Sequence, residues 1–203
     1  MAETLANIRY GMVIFMIIVL PVVASFWFVI HGAISIWKKR PAWQAYTVAL
    51  LVILATLAVI IPNLGTIAGS DLGNNYALMI VGAVIYLSSF RLSSVVRGHL
   101  NFRTFAGIPE IGNEDSALIE TGPFKIIRHP RYLMVVISTI GWTVVTNYSG
   151  AYITAAVFFV CLFVIIKLEE RELISRFGDA YRAYQKRVPM LIPAPKNIGR
   201  LFV

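Results

Sequence analysis

Thr121-Gly122-Pro123-Phe124-Lys125-Ile126-Ile127-Arg128-His129-Pro130-Arg131-Tyr132 is a polar, basic segment between long apolar runs, and it leads directly into another apolar run. Lipid solvation gives no reason for a His-Pro pair at such a place. Pro130 fixes its own φ and pushes His129 toward an extended conformation, which suits a helix beginning at Pro130. His129 then stands at the mouth of that helix, where first-turn N–H groups and the positive dipole end favour an anionic ligand group. The segment reads as one wall of a polar pocket at a membrane face.

The rest of the chain supplies the membrane. Of 203 residues, 58% are hydrophobic and 14% charged, and the mean hydropathy is +0.75. A soluble domain carries about 45–50% apolar and about 25% charged residues. The net charge of +8 does not point to nucleic acid, because the basic residues flank apolar spans instead of covering one solvated face. Cys161 is the only cysteine, so no intrachain disulfide can form; it lies in an apolar run and reads as a small buried hydrophobe. His31, His99 and His129 have no cysteine cluster or clustered carboxylate spacing around them, so no metal site is expected. His31 and His99 read as interface residues at the ends of spans. Met1–Asn7 includes Glu3 and lacks a basic leader segment, so the first apolar run reads as a retained span.

Apolar segments run over Tyr10–Ile30, Trp43–Ile61, Tyr76–Val96, Leu133–Thr146 and Tyr152–Ile166. The first three approach the roughly 20 residues that cross a bilayer, and the last two, at about 14 and 15, read as a short, tilted helical hairpin. Asn147-Tyr148-Ser149-Gly150 is the turn between them. Lys38-Lys39-Arg40 follows span one, and Arg97, Arg103, Lys125, Arg128 and Arg131 follow span three. Lys167 and a charged tail follow span five, whereas Pro62–Asn75 and Asn147–Gly150 hold no Lys or Arg. The positive-inside rule is met at every loop with the N-terminus outside and the C-terminus cytosolic. The expectation is an all-α integral membrane protein with five transmembrane helices. Residues 1–97 form three N-terminal spans, and residues 98–203 form a cytosolic loop, the hairpin and a tail. In the tail, Leu173, Phe177, Tyr181, Tyr184 and Val188 recur at helical spacing, so a cytosolic amphipathic helix is expected, broken at Gly178-Asp179.

Glu169 and Glu170 stand at the end of span five, where the helix dipole disfavours carboxylates unless the helix runs on or the pair is recruited. One reading pairs them with Arg128, Arg131 or Lys167 across the interface. The combination supports another. Gly122-Pro123-Phe124, Arg128-His129-Pro130-Arg131-Tyr132, Glu169-Glu170, Phe177-Gly178-Asp179-Ala180-Tyr181, Tyr184, Val188-Pro189 and Pro193 stand in an order and at separations that resemble the isoprenylcysteine carboxyl methyltransferase family. The wider group includes phospholipid methyltransferases. The resemblance covers roughly Leu118–Pro193; the first three spans are generic, and Asn101–Gly112 has no clear counterpart.

The resemblance implies S-adenosylmethionine bound on the cytosolic side without a Rossmann domain. Its shell would be Leu118, Ile119, Phe124 (where the family usually has tyrosine), His129, Pro130, Tyr132 and Glu169. Glu169 suits ribose hydroxyls or an amino group, and Phe124 and Tyr132 offer aromatic surface to adenine or the sulfonium. The acceptor implied is lipophilic or lipidated and comes from the bilayer. An anionic acceptor needs no general base; a thiol or amine does, and His129 is the candidate. Arg103, Lys167 and Glu170 are candidate acceptor-side groups, with Arg91 as a further cation. The chain departs from prenylcysteine enzymes at Ile165, where they carry a substrate-facing arginine one turn before the first glutamate. Two rivals remain at this point. One is a sterol-type reductase using NADPH, which the glutamate pair would repel. The other is a non-enzymatic membrane scaffold of the same fold.

Overall fold

The computed structural model describes residues 2–99 and 117–202. In chain order the helices are α1 Ala2–Gly32, α2 Ile34–Trp37, α3 Ala42–Ile60, α4 Leu64–Ala68, α5 Tyr76–Arg97, α6 Pro130–Thr146, α7 Ser149–Phe177 and α8 Asp179–Arg187. Short 3-10 turns cover Ile61–Asn63, Gly122–Lys125, Pro195–Asn197 and Gly199–Phe202. The local signals in the sequence set the boundaries. Asn75 caps α5 by accepting from the Leu78 N–H at 3.1 Å, and Pro130 occupies the first position of α6. Gly178, at φ 56°, separates α7 from α8.

Among the described residues the protein is all-helical, and four runs are long and apolar enough to cross a membrane: Glu3–Gly32, Ala42–Ala68, Tyr76–Arg97 and Ser149–Phe177. The hairpin differs from expectation. Helix α6 has 17 residues, or about 26 Å at 1.5 Å per residue, close to the short span the sequence predicts. Helix α7 has 29 residues, or about 44 Å, and is not short. It runs on because Glu169, Glu170 and Glu172, which end the apolar pattern, are themselves buried and ion-paired. The turn narrows to Asn147 and Tyr148. Asn147 takes the left-handed conformation at φ 51°, returns its N–H to Thr143 O at 3.0 Å and donates its side-chain amide to Gly73 O at 3.0 Å.

Helix α1 is the hub, packed against α3, α4, α6 and α7, while α5 lies along α6. α3 rests on α1 through buried Ala45 and Ala49 and leaves Leu50, Leu51, Leu54 and Val59 exposed, as a lipid-facing helix requires. The α5–α6 contact is a close backbone approach of the kind small residues allow in membranes. A Cβ on Gly141 would lie 2.4 Å from Tyr86 N and 2.7 Å from Gly82 O, and one on Gly82 would lie 2.8 Å from Gly141 O. Gly141→Ala therefore has to push the two helices apart. It is expected to cost about 1–3 kcal/mol, seen as a lower unfolding midpoint in detergent, and an unchanged midpoint would refute this packing.

At one end of the bundle, buried Arg9 of α1 ties the connections together. Its guanidinium pairs with Asp71, donates to Asn74 and gives Nε to Thr146 O at 2.9 Å, with Cζ 5.3 Å from the Tyr148 ring centre. Burial alone would raise the Asp71 pKa; the Gly73 N–H at 2.8 Å and the Arg9 guanidinium outweigh it and hold the carboxyl below its ordinary value. The sequence offered Asp71 only as a loop charge and gave no sign of Arg9. The polar signature segment lies at the opposite end.

Candidate functional site

That end is built from the last turns of α1, the 3-10 turn Gly122–Lys125, the start of α6, the second half of α7 and the segment after α8. Gly122, at φ 54°, sits where a Cβ would meet His99 Nε2 at 2.1 Å, so the Gly-Pro turn is closed down on the end of α5. Two backbone bonds then lock the signature segment to the tail: Arg128 N to Pro189 O at 2.9 Å and His129 N to Met190 O at 3.1 Å. His129 forms the N-cap of α6 with no side-chain cap hydrogen bond. Its ring is committed to the acids of α7 instead.

Arg128 gives Nε at 2.8 Å and Nη2 at 2.6 Å to Glu170 Oε1, and its Nη1 donates to the carbonyls of Gln185, at 3.2 Å, and Val188. His129 Nε2 lies 3.3 Å from the same Glu170 oxygen, and Lys167 Nζ lies 3.6 Å from the other. Glu170 is saturated. Glu169, one residue earlier, is not. Its nearest cationic atoms are Arg131 Nη2 at 3.7 Å and His129 Nδ1 at 3.9 Å, and its buried Oε2 takes no hydrogen bond from any described residue. Two adjacent carboxylates thus have different surroundings.

Tyr132 is buried, its ring centre 5.6 Å from that of His129, and packs with Ala24, Phe158, Leu162, Ile165 and Ile166. Ile165 is therefore core, and it brings no charge to this wall. Arg131 lies over both Trp27 and Tyr132, 5.2 and 5.4 Å from their ring centres. Leu118 is half-buried against Tyr181, Tyr184 and Val188, and Phe124 is half-buried with its carbonyl accepting from the Tyr184 hydroxyl at 2.6 Å. Burial pushes the Tyr181 and Tyr184 hydroxyls well above the ordinary tyrosine range, so both stay protonated and Tyr184 remains a donor. Ile119 is half-buried in the approach to the Gly-Pro turn.

The fold thus brings Phe124, His129, Pro130, Tyr132, Glu169 and Glu170 to one end, with Lys167 at its exposed edge. Arg103 lies outside the described residues. The pairing reading of the acids and the site reading both find their contacts here: Glu170 is engaged by Arg128, His129 and Lys167, and Glu169 keeps one buried oxygen without a hydrogen bond. Sequence reasoning missed Trp27, His31 and Glu172. His31, read as an interface residue, stands in the last turn of α1 with its side chain buried in the bundle. It is 3% exposed, stacked on Trp27 at 5.2 Å and 15°, beside Glu169 and Glu172. Glu172 is buried and accepts from Lys38 at 2.8 Å. The available signal was the i, i+4 spacing of Trp27 and His31 facing the acids at the same end.

A cavity of about 300 Å³ opens between α1, α5 and α6, walled by Phe15, Leu20, Tyr86, Phe90, Met134 and Trp142, with no Lys, Arg, His, Asp or Glu. Leu20 also packs on the apolar cluster that contains Tyr132.

Residues 75–180, just over half of the chain, match the family model described as phospholipid methyltransferase. The match takes in α5, which sequence reading had grouped with the generic spans. Methanethiol S-methyltransferase 1 of Bradyrhizobium diazoefficiens is 43% identical over 75 residues, which are 37% of this chain and 26% of that protein. Methanethiol S-methyltransferase of Pseudomonas deceptionensis is 34% identical over 71 residues, 35% and 26% of the two chains. Protein-S-isoprenylcysteine O-methyltransferase of Schizosaccharomyces pombe is 33% identical over 85 residues, 40% and 35%. The aligned part thus spans about a quarter to a third of the length of these curated relatives. No solved structure matches.

Proposed function

The chain belongs to the phospholipid methyltransferase family, and from that premise we propose that it is a membrane enzyme moving a methyl group from S-adenosylmethionine to an apolar or amphiphilic acceptor. The observation that carries this reading is Glu169, a buried carboxylate with an oxygen unused by any described donor, beside a helix N-terminus that has no side-chain cap. Such an acid is costly unless something else hydrogen-bonds it. The ribose hydroxyls or amino group of S-adenosylmethionine are donors of the right kind. The residues present fit the group: Leu118, Ile119, Phe124, Pro130 and Tyr132 give apolar and aromatic surface, Glu169 the acceptor, and the α6 N-terminus with Arg131 the place for a carboxylate. When bound, S-adenosylmethionine supplies an electrophilic methyl on a sulfonium.

The protein's part is positioning and exclusion of water. Arg128 and Glu170 fix the segment; His129, with a carboxylate facing each ring nitrogen, is the group that takes the proton of a thiol acceptor. The cavity between α1, α5 and α6 gives the acceptor an apolar approach from the bilayer. Ile165 leaves the buried face of α7 beside Tyr132 without a cation for an acceptor carboxylate, so lipids or thiols of the kind the Bradyrhizobium relative is named for fit better than a prenylated carboxylate. Lys167 and Arg103 are proposed for the acceptor side, whereas Glu170, taken up by Arg128, is assigned to holding the segment. We read α6 as a fifth crossing, the N-terminus as outside, and α8 with the site as cytosolic. In this reading residues 1–97 hold three spans and residues 98–203 carry most of the site.

Calorimetric titration of the detergent-purified protein with S-adenosylmethionine, S-adenosylhomocysteine and NADPH tests the proposal. Saturable binding of both adenosyl compounds with NADPH silent is the expected result. NADPH binding alone would move the chain to reductase chemistry, and silence of all three would leave a scaffold.

A further inference from the structure

A second pocket, of about 440 Å³, lies at the corner between α2 and α3, walled by Ile36, Trp37, Arg40, Trp43, Gln44 and Thr47. That volume is in the range that holds small-molecule groups. We propose that this pocket seats the headgroup of an anionic phospholipid. Its depth follows from the chain on either side: it joins two runs apolar enough to cross a bilayer, Glu3–Gly32 and Ala42–Ala68, so it lies at the boundary between hydrocarbon and water. Tryptophans are favoured at that level. Trp37 is buried as the floor, its Nε1 spent on Val29 O at 2.7 Å, and Trp43 is 63% exposed at the rim.

The charge in the pocket has one sign. Arg40 bends back to the wall, with Nη1 3.4 Å from Gln44 Oε1, which uses one of five guanidinium donors. No acid is among the lining residues. The three consecutive cations are not equivalent. Lys38 turns inward to Glu172, Lys39 is exposed beside the pocket, and Arg40 lines it. A lone guanidinium with no acid beside it, at headgroup depth, favours a phosphodiester whose charge no headgroup cation cancels over the zwitterionic form of the same ester. This site is separate from the proposed methyl-transfer site and does not depend on it.

The test uses the full chain in mild detergent, with native mass spectrometry of retained lipid after adding phosphatidylglycerol or phosphatidylcholine of identical acyl chains. Phosphatidylglycerol is expected to be retained about five-fold more. Arg40→Gln and Trp43→Ala, both at exposed positions, should each bring it near the phosphatidylcholine level, whereas Lys39→Gln should keep most of the preference. Unfolding midpoints equal to the parent's confirm that the variants are folded. Equal retention of the two lipids by the parent overturns the proposal. So does a preference that survives Arg40→Gln and Trp43→Ala, because general positive charge would then explain it.

Discussion

Arg128→Ala is expected to lower the unfolding midpoint in detergent more than any other single change at this end of the protein, by about 3–5 kcal/mol of stability. The Arg128 and Glu170 side chains are only 9% and 6% exposed, so removing the cation strands a buried carboxylate with His129 and Lys167 at longer range. The same guanidinium also holds the Gln185 and Val188 carbonyls, which anchor the end of α8. A second readout follows. Trypsin should cut the Arg182–Arg187 stretch faster in Arg128→Ala than in the parent. The double variant Arg128→Met, Glu170→Met separates the two roles: it removes the stranded charge and should recover much of the midpoint, while the tail stays open to trypsin. A tail equally protected in all three proteins would show that Arg128 does not hold it.

How far the sequence reveals this arrangement depends on the range of the interaction. Helix starts were legible because their causes are local: Pro130 at the first position of α6, the Asn-Tyr turn after Thr146, and the Gly178-Asp179 break. The convergence of Arg128, His129, Glu169 and Glu170 was legible as a set of residue types at fixed separations. The length of α7 was not. Hydropathy falls at Lys167, and only burial against α1 and the signature segment explains why the helix continues to Phe177. The Arg9–Asp71 pair was equally hidden, because its partners are 62 residues apart and each alone resembles an ordinary flanking charge. His31 and Trp27 join the site for a tertiary reason: α1 is the hub against which α7 packs. The division of labour between the two glutamates is also tertiary. In sequence they are adjacent and identical, and only the position of Arg128 separates them.

Glu169→Gln should act in the opposite way to the loss of Arg128, on binding and not on stability. Gln keeps the volume, and the ion pairs of Glu169 with Arg131 and His129 are long, at 3.7 and 3.9 Å, so the pairing lost is modest. Arg131 keeps its place between the Trp27 and Tyr132 rings. The unfolding midpoint should therefore stay near the parent's. Affinity for S-adenosylmethionine and S-adenosylhomocysteine should fall together by about 10–100-fold, the size of a lost hydrogen bond to a charged group. A parallel fall is expected because the donors assigned to Glu169, ribose hydroxyls or the amino group, are common to both compounds. Unchanged affinity with a lowered midpoint would make Glu169 a structural acid like its neighbour and remove the observation on which the methyl-transfer reading rests. The contrast is the informative part. Two adjacent carboxylates on one helix are expected to separate cleanly, Glu170 in unfolding and Glu169 in titration, because Arg128 donates twice to one and an oxygen of the other takes no hydrogen bond.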